Sequence, residues 1–276
     1  MPASEGAALM TVEKTTRAFG WRAYGFGIMA LGIVCLAFGD FHPGQPVPKE
    51  FPGRTFLAYA VAVFMLVAGA AIEWRPTLPR AAAAVTAYFA LVVVIVLNGR
   101  LLLAHHAEFL PYESIAIQLA ITSGGLIVYA TYANIDTVLA ARLTRVAQVL
   151  FGICALVFGT AHFLYMDLTA PLVPKWLPPS QEFWAYATGI GHIAAGVAIL
   201  TGVQARLAAI LLTVMFASFS LLVHIPMLLA APGDHWIWNE NAVNLALTGA
   251  AWVVADSLAR TRHSGADSNA SSHHRV

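Results

Sequence analysis

Eight long apolar runs dominate this sequence and leave little choice of fold. The chain has 276 residues, of which 59% are hydrophobic and 11% charged, whereas soluble domains carry about 25% charged residues. Runs of roughly 20 apolar residues are long enough to cross the ~30 Å hydrocarbon core of a bilayer as helices. The pattern predicts an all-α membrane protein with eight transmembrane helices. The predicted spans are Phe19–Phe38, Phe56–Ile72, Ala81–Leu103, Ser114–Tyr132, Val146–Leu164, Phe183–Thr201, Leu207–Ala230 and Ala242–Leu258.

The two halves of the chain repeat one another, which indicates a tandem duplication. A block bounded by glycines, Gly32–Gly39, returns as Gly152–Gly159, and each block is followed three residues later by a histidine, His42 or His162. Further matching blocks follow in the same order, and motifs that recur at a nearly constant spacing are the signature of an internal repeat. Because each unit has four spans, the sequence predicts two parallel-repeat four-helix bundles related by an axis along the membrane normal.

The duplication divides the chain into five predicted segments. Two membrane repeats, 19–132 and 146–258, are joined by a cytoplasmic linker, 133–145. A cytoplasmic amino-terminal segment, 1–18, precedes them. The Ser/Asn/His-rich composition of the tail, 259–276, predicts disorder.

Positive charges are distributed unevenly between the two sides of the predicted spans. Of the 15 Lys and Arg residues, all but Lys49, Arg54, Arg100 and Lys175 lie on the side of the chain termini. The positive-inside rule then predicts a multi-pass protein of the bacterial inner membrane with both termini in the cytoplasm. A net charge of +1 without a basic patch predicts no nucleic-acid partner, and the absence of a ring of like charges argues against an ion channel.

The second repeat carries histidines where the first repeat carries other residues. His192 matches Met65, and His224 matches Asn98. Together with His162, they place three imidazoles in the outer half of the membrane, on three successive helices. Ionisable groups at such a depth are costly and usually face a bundle interior or a cavity. These three histidines are therefore the main candidates for a ligand-binding site.

Three interpretations of these histidines are open from the sequence. The first interpretation is that each histidine is a structural residue, hydrogen-bonded inside the helix bundle. A second interpretation is a pocket for the head group of a quinone or another small amphiphile, since imidazoles hydrogen-bond and exchange protons near neutral pH. The third is a metal or haem site formed by His162, His192 and His224, although haem needs two ligands at similar depth and zinc needs four close ligands.

Loops on the same side of the membrane add further candidates. Lys175 and Trp176, in a Pro-rich loop, are predicted to close the mouth of the pocket together with His162. Glu240 is predicted to lie in the last of these loops, above the histidines. Tryptophan at this level is also typical of the aromatic belt at lipid head groups. The Pro-rich loop is therefore expected to be either a lid over a site or a membrane anchor.

Several motifs of the second repeat are recognisable. They are Gly152–Gly159 leading to His162, the run Val173-Pro174-Lys175-Trp176-Leu177-Pro178, the glycines Gly189, Gly191 and Gly196, and His224-Ile225-Pro226. Over about residues 146–258, these motifs resemble the DoxX-like family of membrane proteins. The first repeat looks like a diverged copy of the same unit, with Asn98-Gly99-Arg100 in place of the His-x-Pro ending. Members of that family usually consist of one four-helix unit, so a fused pair is a departure from its pattern.

The resemblance implies a role beside redox enzymes. Some relatives are membrane subunits of a thiosulfate:quinone oxidoreductase, and others accompany oxidative-stress enzymes or look like assembly chaperones. We therefore expect a quinone- or amphiphile-interacting subunit of a redox system, with membrane lipid and a periplasmic or membrane redox protein as partners. A fold does not fix a function. The alternative is a non-catalytic scaffold that binds a partner protein through its Pro- and Trp-rich outer loops.

Overall fold

The computed structural model describes residues 18–273, and describes side chains as far as Ala259. Within this part of the chain all regular structure is helical, and eight helices are long and apolar enough to cross a membrane. The predicted all-α membrane fold with eight spans is confirmed. The helices are α1 (Gly20–Phe38), α2 (Arg54–Ile72), α3 (Leu78–Ala104), α4 (Leu110–Tyr132), α5 (Thr137–Leu164), α6 (Gln181–Thr201), α7 (Ala205–Ala230) and α8 (His235–His273, with its apolar part at His235–Ala259).

The ends of the chain differ in part from the prediction. Residues 1–17 of the predicted amino-terminal segment and the last residues of the tail, 274–276, lie outside the described residues. The backbone of the tail is helical as far as His273, where the composition predicted disorder. Helix elongation from an already formed span costs little compared with nucleation, which accounts for this continuation.

Helix α5 begins at Thr137, well before the predicted start of the span at Val146. Asp136 caps it, because its Oδ1 accepts hydrogen bonds of 3.0 Å from the backbone N–H groups of Val138 and Leu139. Further along, Arg145 donates to the carbonyl oxygen of Leu200 at the end of α6, at 2.9 Å. The predicted linker is therefore mostly a polar extension of α5, which hydropathy does not detect.

The eight helices form one body in which each repeat packs into the other. α1 packs along α8 even more extensively than along its neighbour α2, and α5 packs along α4. Within each repeat, by contrast, the first helix barely touches the fourth helix. α4 and α8 contact each other at the centre and are the most deeply buried spans. The two predicted bundles are thus not separate, because the fourth helix of each repeat closes the other repeat.

The eight spans alternate in direction, so the connections fall on two faces. The long-loop face carries residues 39–53, 105–109, 165–180 and 231–234, and the short-loop face carries 73–77, 133–136 and 202–204.

In the first repeat, part of the long-loop face folds into the bundle. We call residues 41–46 the plug, because Phe41, His42 and Gln45 are buried. Three oxygens of the plug accept hydrogen bonds from α3. Asn98 Nδ2 donates to the Gly44 carbonyl at 2.9 Å, the Tyr88 hydroxyl to Gln45 Oε1 at 3.1 Å, and Arg100 Nη2 to the Pro46 carbonyl at 3.3 Å.

The plug gives the protein an expected dependence on pH. His42 lies outside the spans, and burial, with a smaller contribution from His235, lowers its pKa from 6.5 to about 3. Between these two values the unfolded chain binds a proton at His42 that the folded chain does not bind. The free energy of unfolding should therefore fall as the pH is lowered through this range, by up to about 1.4 kcal/mol per pH unit.

Denaturant titrations in mixed micelles at several pH values test this expectation. His42→Asn should flatten the dependence, whereas His106→Asn, a change at an exposed loop position, should leave it unchanged. Equal slopes for the wild type and His42→Asn would show that His42 is not responsible.

Candidate functional site

Both repeats contain a π-helical segment in their third helix, and the two segments end at matched positions. The segments are Tyr88–Asn98 in α3 and Ser220–His224 in α7. Near the second segment, the side chain of Asn244 donates to the carbonyl oxygen of Phe216 at 2.8 Å, which keeps that buried backbone group paired. π-helical segments inside α-helices occur frequently at functional sites, so the outer parts of α3 and α7 are natural places to search.

The second repeat is more open than the first at this level. The α3 segment contributes buried residues to the interior, Phe89, Val93 and Asn98. In α7, by contrast, none of the residues from Ser220 to Ala230 is buried. α6 packs against the first part of α7, Ala205–Phe219, whereas the remainder of α7 packs against α8. The outer part of α7 is thus not closely packed against α6, and we call this gap in the helix packing, toward the long-loop face, the α6–α7 cleft.

Two of the predicted histidines meet beside this cleft. The ring centroids of His162 and His192 are 5.1 Å apart. His192 is only 1% exposed, and its Nδ1 lies 2.9 Å from the carbonyl oxygen of Thr188, one turn earlier. His162 makes the same bond to Phe158, also at 2.9 Å. The i to i−4 pairing fixes both rings against their own helices.

These bonds determine whether the other ring nitrogen, Nε2, donates or accepts a hydrogen bond. A carbonyl oxygen only accepts, so Nδ1 of each neutral ring carries the proton and Nε2 is left as an acceptor. His192 Nε2 is buried and has no hydrogen-bond partner among the described residues. An unpaired buried polar atom costs about 1–3 kcal/mol. The site therefore lacks a hydrogen-bond donor at this atom.

Aromatic rings surround His192 on its other sides. Its ring centroid lies 5.9 Å from that of Phe158, 5.5 Å from Phe216 and 6.3 Å from Phe219. The first two contacts are edge-to-face, a favourable arrangement for aromatic pairs. The result is an apolar wall around the Nε2 of His192, which is suited to a ring that carries a polar substituent.

His224 does not join the pair. It is half-buried at the end of the π-helical segment of α7, and no ring contact links it to His162 or His192 among the described side chains. Throughout the described part of the chain, no three His, Cys, Asp or Glu side chains are placed to hold a metal ion. The alternative of a metal site at His162, His192 and His224 therefore has no support from the geometry.

The predicted loop residues lie elsewhere. Lys175 is exposed and Trp176 is 70% exposed, and neither makes a hydrogen bond or ring contact with the histidine pair among the described residues. Glu240 is not in a loop, because α8 starts at His235, where Asp234 Oδ1 accepts from the Trp236 N–H at 2.8 Å. Its carboxyl group lies within electrostatic range of Glu113 on α4, a helix that packs against α8. Glu240 thus belongs to the contact between the repeats.

The comparison with known families points to the same half of the chain. Residues 151–258 match DUF8561, described as a domain of unknown function. No curated protein and no solved structure matches the chain. The DUF8561 match spans most of the second repeat and includes the histidine pair and its three phenylalanines.

The sequence missed two features of the site. The phenylalanines were read only as span residues, although Phe158 precedes His162 by four residues and so shares its helix face. A second group of buried polar atoms without a partner has two members before the DUF8561 match and two within it. It consists of His42 Nε2, Gln118 Nε2, His235 Nε2 and Asn239 Oδ1.

Proposed function

We propose that this chain is a DoxX-like inner-membrane protein that binds the head group of a quinone-type amphiphile in the α6–α7 cleft, as a subunit of a redox system. The observation that carries the proposal is the buried, unpartnered Nε2 of His192, beside His162 and within an aromatic wall. The positive-inside distribution of Lys and Arg supports cytoplasmic termini. The long-loop face, and with it the histidine pair, then lies toward the periplasm.

The protonation of His192 selects the form of the ligand. Its Nε2 is an acceptor, so the group that satisfies it has to donate a hydrogen bond. A quinol has hydroxyl groups that donate, whereas a quinone has carbonyl oxygens that only accept. A quinol releases two protons and two electrons when it is oxidised. His192 Nε2 is placed to accept one proton, and His162, whose Nε2 is also an acceptor and whose ring centroid lies 5.1 Å away, can accept the other. The two electrons would pass to a redox partner protein.

Binding of the two redox forms tests this function. We expect purified protein in detergent to bind decylubiquinol about tenfold more tightly than decylubiquinone, because one hydrogen bond to His192 is gained. His192→Ala should weaken quinol binding by at least about tenfold. Affinities can be measured from quenching of tryptophan fluorescence.

A matched imidazole serves as the control. His105 is exposed and pairs with Glu108 in a loop at 3.0 Å, so His105→Ala should bind quinol like the wild type. If His192→Ala bound quinol as well as the wild type, or if the wild type bound neither form, the proposed function would be wrong.

The exposed aromatic residues of the long-loop face favour a second candidate function, that of a scaffold. Trp176 is 70% exposed and Trp236 is 57% exposed, and tryptophan is enriched in protein interfaces. In this case, deleting Pro171–Pro179 should abolish co-purification with a partner protein, while His192→Ala should leave co-purification unchanged.

A further inference from the structure

The two repeats differ in structure at the end of their first helices, α1 and α5. α1 ends at Phe38, where Gly39 adopts a φ of 63°, and the chain then turns inward to form the plug. The matching helix α5 continues to Leu164 and carries His162 on its last turn. The first repeat thus fills the space beside its π-helical segment with its own backbone, whereas the second repeat leaves the corresponding helix surface uncovered.

We propose that the plug occupies in the first repeat the place that the ligand takes in the second repeat, so that His224 donates a hydrogen bond to an oxygen of the ligand. This inference rests on the proposed function. The matched residue Asn98 is fully buried and donates to the Gly44 carbonyl at 2.9 Å. His224 ends the corresponding π-helical segment of α7, and its ring makes no hydrogen bond to another described residue, although its backbone carbonyl accepts one from Asn241.

The plug also indicates how polar the ligand is. In the first repeat, α3 offers it three donors, from Tyr88, Asn98 and Arg100. The matched residues of α7 are Val214, His224 and Pro226, so only the central donor is kept. A ligand of the second repeat therefore meets one donor at this helix and is otherwise in apolar surroundings.

Two oriented contacts then define the ligand. His192 on α6 requires a donor, and His224 on α7 requires an acceptor. An aromatic ring that carries oxygens on opposite edges meets both requirements, with one hydroxyl hydrogen directed to His192 and the other oxygen directed to His224. A 1,4-dihydroxy aromatic ring fits, and a phenol with a single oxygen fits only half of the site. The apolar chain of the ligand leaves through the cleft toward lipid.

The first repeat has no place for a second ligand. In the first repeat, the donor of Asn98 is already used by the plug, and Met65 replaces His192. The chain should therefore bind one ligand, in its second repeat.

Substitutions at the two matched positions test the inference. Decylubiquinol binding is measured for the wild type, His224→Leu, His224→Asn and Asn98→Leu. We expect His224→Leu to weaken binding about tenfold, and His224→Asn, which keeps a donor, to stay within about threefold of the wild type. Asn98→Leu should leave the affinity unchanged and lower the melting temperature, because its partner is the plug.

The outcomes separate this inference from the proposed function. If the wild type and the His224→Leu variant bind quinol equally while His192→Ala loses it, the role of His224 is wrong and the proposed function stands. If Asn98→Leu weakens binding as much as His224→Leu does, the plug is not the counterpart of the ligand. A stoichiometry of two per chain would also overturn the inference. Absence of binding by the wild type would overturn both proposals.

Discussion

Gly27→Ala is expected to force α1 away from α8 and to lower the free energy of unfolding by about 3 kcal/mol or more. A Cβ atom at Gly27 would lie 2.4 Å from the Cα atom of Ala246 and 2.7 Å from its nitrogen. Both neighbours are backbone atoms of a packed helix, so no side-chain rotation relieves the clash. Overpacking of interiors typically costs about 1–3 kcal/mol, and a clash with backbone lies at or above the upper end.

The same substitution at Gly191 provides the control. A Cβ atom there would lie 3.7 Å from the Sδ atom of Met215, an ordinary contact. Gly191→Ala should therefore be neutral or stabilise the protein by up to about 1 kcal/mol, through the higher helix propensity of alanine. Thermal unfolding in detergent, followed by circular dichroism, measures both variants. Equal melting temperatures for the two would mean that α1 does not pack on α8 in this way.

This prediction concerns the feature of the fold that hydropathy could least reveal. The apolar runs give the number and approximate positions of the spans, because crossing a bilayer requires a certain length of apolar helix. They carry no information about which helices touch, since lipid is as apolar as the interior of the protein. The close contacts of α1 with α8 depend on small residues such as Gly27 and Gly249, whose partners lie in the other repeat.

The polar segments next to the spans also differ from their prediction. The run before Val146 is too polar to be read as a span, yet Asp136 caps a helix there. Residues around Glu240 were assigned to a loop for the same reason. The segment after Gly39 lies between two predicted spans, yet the plug within it is buried because Asn98, Tyr88 and Arg100 donate hydrogen bonds to its oxygens. Such pairings join residues about fifty positions apart.

For the site, the comparison of the two repeats was more informative than either repeat alone. It identified His192 and His224 as histidines that stand where the first repeat has Met65 and Asn98, and the structure places His192 against His162. It did not show that His224 stands apart, because the rotation of α7 about its axis is not readable from a helix that is apolar on all sides. The supporting phenylalanines were hidden for the same reason.

His192→Met is expected to raise the stability of the ligand-free protein and to abolish ligand binding. Met is the residue of the first repeat at the matched position, where Met65 is fully buried. The substitution removes a buried nitrogen that has no partner, and such an atom costs about 1–3 kcal/mol. The melting temperature should rise by a few degrees, about 2–4 °C per kcal/mol for a protein approaching this size. Quinol binding should be lost, because the substitution removes the nitrogen that accepts its hydrogen bond.

The reverse exchange completes the test. Met65→His places an imidazole at a fully buried position of the first repeat and should destabilise the protein by about 1–3 kcal/mol. A residue kept for ligand binding at the expense of stability is typical of functional sites. If His192→Met instead lowers the melting temperature as much as Met65→His does, His192 is a structural histidine whose Nε2 is paired in the folded protein. His192 would then have no free acceptor to offer a ligand.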